Sequence, residues 1–172
     1  MKKTKARMLA KHKREQMDDL SYKIKSKIIT QKIENHPKFI KAKVVGIYFP
    51  IKGEVNINYL NLNNKKVLFP KINKNNQLDF LLISNKTKWE INKYGIKEPK
   101  NGKIMNEEID LLIIPSLAKN SNNYRLGYGK GYYDKFIKKY YPLYTMGILF
   151  DNYTLEFVSD IWDMKLDEFI SN

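Results

Sequence analysis

Apolar residues come in short blocks separated by lysine- and asparagine-rich stretches. Four blocks are nearly continuous: 43–49 (KVVGIYF), 79–84 (DFLLIS), 109–114 (IDLLII) and 144–150 (YTMGILF). Each predicts a strand, two of them bounded by Pro50 and Pro115; the continuous run 109–114 has the pattern of a strand covered on both faces, and 144–150 reads as a further buried strand. A fifth strand is expected over 66–69, ending at Pro70. Residues 2–18 show no alternation and predict a helix with Met8, Leu9 and Met17 on its apolar side. Asp18-Asp19-Leu20-Ser21 then offers caps for a second helix, in which Ile24, Ile28, Ile29 and Ile33 recur at helical spacing until His36-Pro37. A short helix is expected near 56–62 and another over about 130–141. Residues 85–108, punctuated by Gly95, Pro99 and Gly102, and residues 116–128 read as loops. A short segment over 155–158 precedes an acidic tail.

Strands alternating with helices predict an α/β fold: a three-layer α/β/α arrangement around a largely parallel central sheet, formed by a single domain over 1–172. Ligands of such sheets bind beyond the carboxyl ends of the strands, here the loops after Phe49, Ile114 and Phe150.

Composition narrows the chemistry. The chain has 172 residues, no Cys and two His, which removes structural zinc, thiol catalysis and disulfides. His12 and His36 read as surface residues and receive no role. No apolar run approaches the length of a membrane span and no signal-peptide pattern opens the chain, so a soluble intracellular protein is expected. The net charge is +14, which invites a nucleic-acid reading. However, only Arg7, Arg14 and Arg125 among 32 basic residues are arginine, and base-edge readout favours arginine's planar fork. Ile and Asn, which share A- and T-rich codons with Lys, are also abundant, so nucleotide bias gives the same excess. The charge is uneven: residues 1–43 carry a net +10, and residues 151–172 a net −5. Such ends can pair within one fold or wall a metal–phosphate ligand.

The most informative segment is Arg125-Leu126-Gly127-Tyr128-Gly129-Lys130-Gly131-Tyr132-Tyr133-Asp134. Three alternate glycines before a helix let backbone N–H groups converge on an anion, and the helix N-terminus adds positive potential. Arg125 and Lys130 bring full charges, and Asp134 falls in the first helical turn, where a carboxylate can hold Mg²⁺ or simply face the helix dipole. The spacing matches neither common phosphate loop, and by itself it suits a flexible turn equally well. Tyr132 and Tyr133 read as core or as stacking surface, and seven of the twelve tyrosines lie between 124 and 144. Trp89 reads as core or as a stacking residue.

This segment resembles the signature of the 5-formyltetrahydrofolate cyclo-ligase family, and the likeness runs along nearly the whole chain. Lys3-x-x-x-Arg7 resembles the family's ATP-contacting pair. Tyr48-Phe49-Pro50 with Gly53-Glu54 is similar to its folate-contacting strand end and acid. Gly95-Ile96-Lys97-Glu98-Pro99, Asp110 to Pro115, and Trp162-Asp163-Met164-Lys165-Leu166-Asp167 follow in order. Ser116, Lys119, Asn120 and Asn123 stand where the family usually has Gly, Phe, Asp and Gly, and Tyr153 where a Gln is usual.

The resemblance implies ATP-dependent closure of 5-formyltetrahydrofolate to 5,10-methenyltetrahydrofolate, with Arg125 and Lys130 catalytic. It implies ATP contacts from Lys3, Arg7, Arg125, Gly127, Gly129, Lys130, Gly131, Tyr132, Tyr133 and Asp134. Folate contacts would come from Phe49, Glu54, Gly127, Tyr128, Gly129, Lys130 and Gly131, and Mg²⁺ ligands from Asp134 and Asp163. ATP and 5-formyltetrahydrofolate are then the partners of a cytoplasmic monomer, with neither membrane nor nucleic acid involved. The loop departures raise one alternative, a nucleotide-binding homologue without folate turnover. The lysine face and clustered tyrosines raise another, a basic RNA-binding module. On residues alone, Glu54 reads as an exposed turn acid, and Lys3 and Arg7 as i,i+4 surface charges.

Overall fold

The computed structural model describes residues 1–172. Six strands form one sheet in the spatial order β10-β9-β6-β1-β2-β3. They are β1 (Val44–Gly46), β2 (Lys66–Ile72), β3 (Leu78–Leu82), β6 (Leu111–Pro115), β9 (Thr145–Ile148) and β10 (Glu168–Ile170). All neighbours run parallel except β2 and β3, which pair antiparallel. The continuous apolar run of β6 is explained by its place: it lies between β1 and β9 and all five residues are buried. The helix α2 (Asp19–Glu34) packs Ile29 and Ile33 with Val45, Val67 and Ile113 on one face. On the other face α4 (Tyr132–Tyr140) sets Phe136 and Ile137 against Phe80, Leu112 and Ile114. This is the three-layer α/β/α arrangement read from the pattern.

The N-terminal helix α1 (Lys3–Glu15) belongs to neither layer. It buries Ala6 and Ala10 against Leu117, Ala118, Leu126 and Phe157, beyond the carboxyl ends of the strands. Met8, expected on its apolar side, is exposed. The inward stripe is Lys3, Ala6, Arg7, Ala10 and Arg14, so the helix faces the protein with small residues and cations. In α2, Asp18 caps the first turn through Ser21 N–H (2.8 Å), as its sequence suggests, but Ile24 and Ile28 face outward.

Other expectations are corrected. Strand β2 does not stop at Pro70, because Pro70 sits opposite Phe80 at a position needing no ladder donor: Phe80 turns its own N–H to Asn106 Oδ1 (2.7 Å) and its carbonyl to Met105 N–H (2.9 Å). The loop 85–108 contains an antiparallel ribbon, β4 (Trp89–Ile91) with β5 (Lys97–Pro99). The loop 116–128 contains another, β7 (Ala118–Lys119) with β8 (Arg125–Leu126). Only a single 3₁₀ turn, Ile57–Tyr59, forms where a short helix was expected. The short α3 (Pro37–Lys41) follows His36, whose Nδ1 accepts Lys38 N–H (3.1 Å) and whose Nε2 lies 2.9 Å from Glu168. Segment 155–158 is irregular, and the acidic tail, for which no strand was expected, ends in β10, parallel to β9.

Candidate active site

The sheet delivers Tyr48 and Phe49 after β1, Pro70 and Ile72 from β2, and Pro115 from β6 to a common end. Because β2 and β6 flank β1 on opposite sides, this end lies where chain progression reverses, the usual position of a ligand crevice. The ribbon β4–β5 and the glycine loop 127–131 complete a mainly apolar cavity of about 290 Å³, with Lys97, Glu98, Arg125, Lys130 and Glu54 among its few charged lining residues. The loops after Phe49 and Ile114 therefore form the cavity as expected. Phe150 instead lines a second depression of about 610 Å³, which also includes Lys11, Arg14, Lys52 and Gly53 and is separated from the first by Tyr128.

Glu54 is 5% exposed, far from the exposed turn acid its sequence suggests. Its carboxylate accepts Ile51 N–H (3.1 Å). Burial pushes its pKa up to about 7, against the opposing pull of that hydrogen bond and of the Arg14 and Arg125 charges. With one backbone donor in an otherwise mainly apolar cavity, this carboxyl group has acceptor capacity to spare. Glu98 is also buried; it accepts Ile72 N–H (3.1 Å) and Asn92 Nδ2–H (3.0 Å), with Lys71 Nζ at 3.4 Å, so it ties the β4–β5 ribbon to β2. Phe49 stacks on Phe69 at 4.3 Å, and the edge-on Trp89 packs at 5.0 Å, placing Trp89 in an aromatic cluster behind the cavity wall.

The glycine loop is built around arginines. Arg125, with 7% of its side chain exposed, donates to the Pro115 carbonyl (3.2 Å) and to Asp134 Oδ2 (3.4 Å). Its buried Nε lacks a partner, and the guanidinium lies 5.2 Å from the Tyr133 ring centre. A Cβ at residue 127 would overlap that guanidinium, so glycine there lets Arg125 keep this position. Arg7 Nε donates to the Gly127 carbonyl (2.8 Å). Gly129 has φ +100°, a conformation that favours glycine, and a Cβ there would stand 3.1 Å from Arg7 Cζ and press on the guanidinium. Gly131 precedes α4, whose first turn holds Tyr132, Tyr133 and Asp134. Lys130 is exposed at the cavity mouth, 5.5 Å from the Tyr94 ring centre. Tyr132 hydroxyl shares a hydrogen bond with Tyr94 (3.1 Å) and donates to Asn76 (2.9 Å). Tyr133 is held against the core, and burial raises its pKa. Burial, with the nearby Glu54 charge, pushes Tyr128 up to about 12.

Lys3 bonds to Asp160 (2.6 Å) and Asp163. Burial alone would lower its pKa, but the two carboxylates outweigh it and hold the ammonium above its ordinary value. Asp163 also accepts Asp160 N–H (2.7 Å), and Asp134 Oδ1 accepts Met164 N–H (3.0 Å). The two carboxylates named for a metal thus lie on segments that touch through Met164, each facing a cation. They are hard oxygen donors and few, the donor set that suits Mg²⁺ when phosphates and water complete its shell. The structure joins Arg7 to the loop at Gly127 and Arg125 to Asp134, sets Lys130 with Glu54, Phe49 and Tyr128 on the cavity lining, and pairs Lys3 with Asp163 one helical turn from Arg7.

Sequence reasoning gave no role to Tyr94, Lys97 and Glu98 on the cavity lining, nor to Arg14 beside it. Arg14 donates to the Ser116 carbonyl, packs its Cδ 3.7 Å from the Cβ position of Gly53, and contributes to the charge felt by Glu54. Its spacing from Arg7, two helical turns, was the available signal. The loop departures are accommodated in the β7–β8 turn. Asn120 Oδ1 accepts the N–H groups of Asn122 (3.1 Å) and Tyr124 (3.0 Å). Asn123 takes φ +61°, which asparagine tolerates where glycine is usual. Ser116 is buried with its hydroxyl on the Ile114 carbonyl (3.4 Å).

Comparison with known proteins agrees with this geometry. The chain is 33% identical over 139 residues to the 5-formyltetrahydrofolate cyclo-ligase of Mycoplasma genitalium, covering 76% of this chain and 73% of the relative. It is 31% identical over 166 residues to the probable 5-formyltetrahydrofolate cyclo-ligase of Schizosaccharomyces pombe, covering 83% and 81%. The solved 5,10-methenyltetrahydrofolate synthetase of Aquifex aeolicus superposes with a TM-score of 0.85 at 30% identity, covering 99% of this chain and 89% of that one. The Mycoplasma pneumoniae synthetase superposes with a TM-score of 0.81 at 25% identity, covering 99% of both. With a family model matching residues 1–171 as well, the chain belongs to the 5-formyltetrahydrofolate cyclo-ligase family.

Proposed function

We propose that the protein is an ATP-dependent ligase that converts 5-formyltetrahydrofolate to 5,10-methenyltetrahydrofolate with release of ADP and phosphate. The observation that carries this reading is the shared wall. The glycine loop with Arg7 and Arg125 has the form of a phosphate cradle, and its inner side lines an apolar cavity containing one buried carboxyl, Glu54.

The formyl oxygen is a weak nucleophile and a poor leaving group, so it is activated first. It attacks the γ-phosphorus, forming an O–P bond as the bond to the β–γ bridging oxygen breaks and ADP departs. N10 then attacks the formyl carbon, phosphate leaves with its C–O bond pair, and the N10 proton is lost. Phosphoryl transfer of this kind depends on positioning and charge neutralisation more than on a strong base. Arg125 and Lys130 serve as the catalytic cations at the transferring oxygens. Lys3 and Arg7 hold the remaining phosphates, with the backbone of Gly127, Gly129 and Gly131 and the α4 N-terminus at Tyr132 and Tyr133. Asp134 and Asp163 would hold Mg²⁺, which supplies further charge neutralisation when bound with the nucleotide. Phe49 and Tyr128 flank the pterin, and Glu54 accepts its N–H groups. The protein acts as a single domain, monomeric and cytoplasmic, on these two small molecules.

The test is to mix the protein with ATP, Mg²⁺ and 5-formyltetrahydrofolate and follow the near-ultraviolet absorbance of the methenyl product. An ATP-dependent rise is expected. Its absence with ATP binding intact refutes turnover and leaves a nucleotide-binding homologue.

A further inference from the structure

The site has a direction, and that direction assigns a place to the nucleotide's base; the argument rests on the function just proposed. The transferred phosphoryl group must face the cavity that holds Glu54 and is lined by Lys130. From there the cations lead away along α1. Arg7 touches the loop at Gly127, and Lys3, about one helical turn of 5.4 Å earlier, holds Asp160 and Asp163. A triphosphate with its γ end at the cavity and its remaining phosphates along Arg7 and Lys3 therefore carries its nucleoside beyond Lys3.

What lies beyond Lys3 is an anchored but uncovered apolar surface. The Met1 ammonium donates to the Glu156 carbonyl (2.8 Å), Val158 N–H donates to the Met1 carbonyl (3.2 Å), and Phe157 is buried against α1. The same segment then presents Val158 at 72%, Ile161 at 94% and Trp162 at 61% exposure. Three large apolar side chains thus stand in water within five residues, on a segment pinned at both ends and joined directly to the carboxylates that hold Lys3. Its position is continuous with the phosphate site, because Trp162 immediately precedes Asp163. We propose that Trp162 is the stacking platform for the purine base of ATP, with Val158 and Ile161 as its apolar border.

Purine fits this surface because an aromatic face recognises any flat base without hydrogen-bond readout, and stacking of this kind changes affinity roughly 5- to 100-fold on truncation to alanine. The experiment compares Mg²⁺–ATP with Mg²⁺–tripolyphosphate, which shares the phosphates and lacks the base. Trp162 is one of two tryptophans, and the other, Trp89, packs against Phe49 and Phe69, so ATP is expected to alter the fluorescence of the wild type while tripolyphosphate changes it little. By calorimetry, Trp162→Ala weakens ATP binding roughly 5- to 100-fold and leaves tripolyphosphate binding unchanged, and Trp162→Phe recovers most of the loss. The KM for ATP rises in step, and that for 5-formyltetrahydrofolate does not. Unchanged ATP affinity in Trp162→Ala, or equal weakening of both ligands, overturns the assignment and leaves the patch to a protein partner. The two readings fail separately: a wild type that binds ATP through Trp162 and forms no methenyl product refutes the proposed reaction only.

Discussion

Replacing Glu54 with glutamine removes a charge the fold holds at a cost, and the size of that cost follows from its surroundings. The carboxyl is 5% exposed and keeps one backbone donor, Ile51 N–H. Burial raises its pKa from 4.5 in the unfolded chain to about 7, a difference worth about 3 kcal/mol at 1.36 kcal/mol per unit. The sign follows from proton counting. Between pH 4.5 and about 7 the folded state binds more protons than the unfolded state, so this group's contribution is fully present below pH 4.5 and is lost as pH rises through 7. Glutamine keeps an acceptor for Ile51 and does not titrate. Urea unfolding of both proteins across pH 4.5–8.5 isolates the effect, because every other titrating group cancels in the difference. The variant is expected to match the wild type near pH 4.5 and to exceed it by about 3 kcal/mol above pH 8. A flat difference curve, or a variant less stable than the wild type at pH 8, refutes the claim that desolvation dominates at Glu54. A stability gain paired with lost turnover would place Glu54 among groups kept for function at the expense of stability.

The same ionisation should govern folate binding: if the carboxylate accepts pterin N–H groups, KM for 5-formyltetrahydrofolate rises about tenfold per pH unit below about 7, and Arg14→Met moves that midpoint upward because Arg14 holds the Glu54 pKa down. Gly129→Ala forces alanine to φ +100° and its Cβ against Arg7, so thermal unfolding should report a loss of about 1–3 kcal/mol and calorimetry a weaker affinity for ATP. Arg125→Lys removes the fork that joins the Pro115 carbonyl to Asp134, and the absorbance assay should show turnover falling by ~10² with the fold retained in circular dichroism. Chelation should abolish turnover and Mg²⁺ restore it, while Asp134→Asn and Asp163→Asn each raise the Mg²⁺ concentration needed.

The parts of the fold that were legible in the sequence are those in which burial alone decides the residue types. The runs around β6 and β9 are apolar because the sheet covers both their faces, and the loop 125–134 stands out because it combines close backbone approach with fixed charges. The parts that were missed depend on partners distant in the chain. Strand β10 is three half-buried residues among acids, and only its pairing with β9 makes it a strand. Helix α1 defeats a hydrophobicity pattern because its inward face is cationic. Glu54 looks like a surface acid until Tyr48, Phe49 and Tyr128 are assembled around its position.

The arginines show the same distinction between composition and placement. Lysine outnumbers arginine 29 to 3, yet all three arginines donate to backbone carbonyls within 115–127: Arg125 to Pro115, Arg14 to Ser116 and Arg7 to Gly127. A guanidinium can bond to a carbonyl with one N–H while presenting others, in a fixed plane, to a second group; an ammonium is a more strongly hydrated point charge that fixes no such plane. Arg125 displays this division of labour, with Pro115 on one side and Asp134 on the other. In this lysine-rich chain, arginine stands where a cation also holds a loop in shape. The net charge of +14 is therefore a poor guide to the protein's ligand, and the positions of three residues within it are a good one.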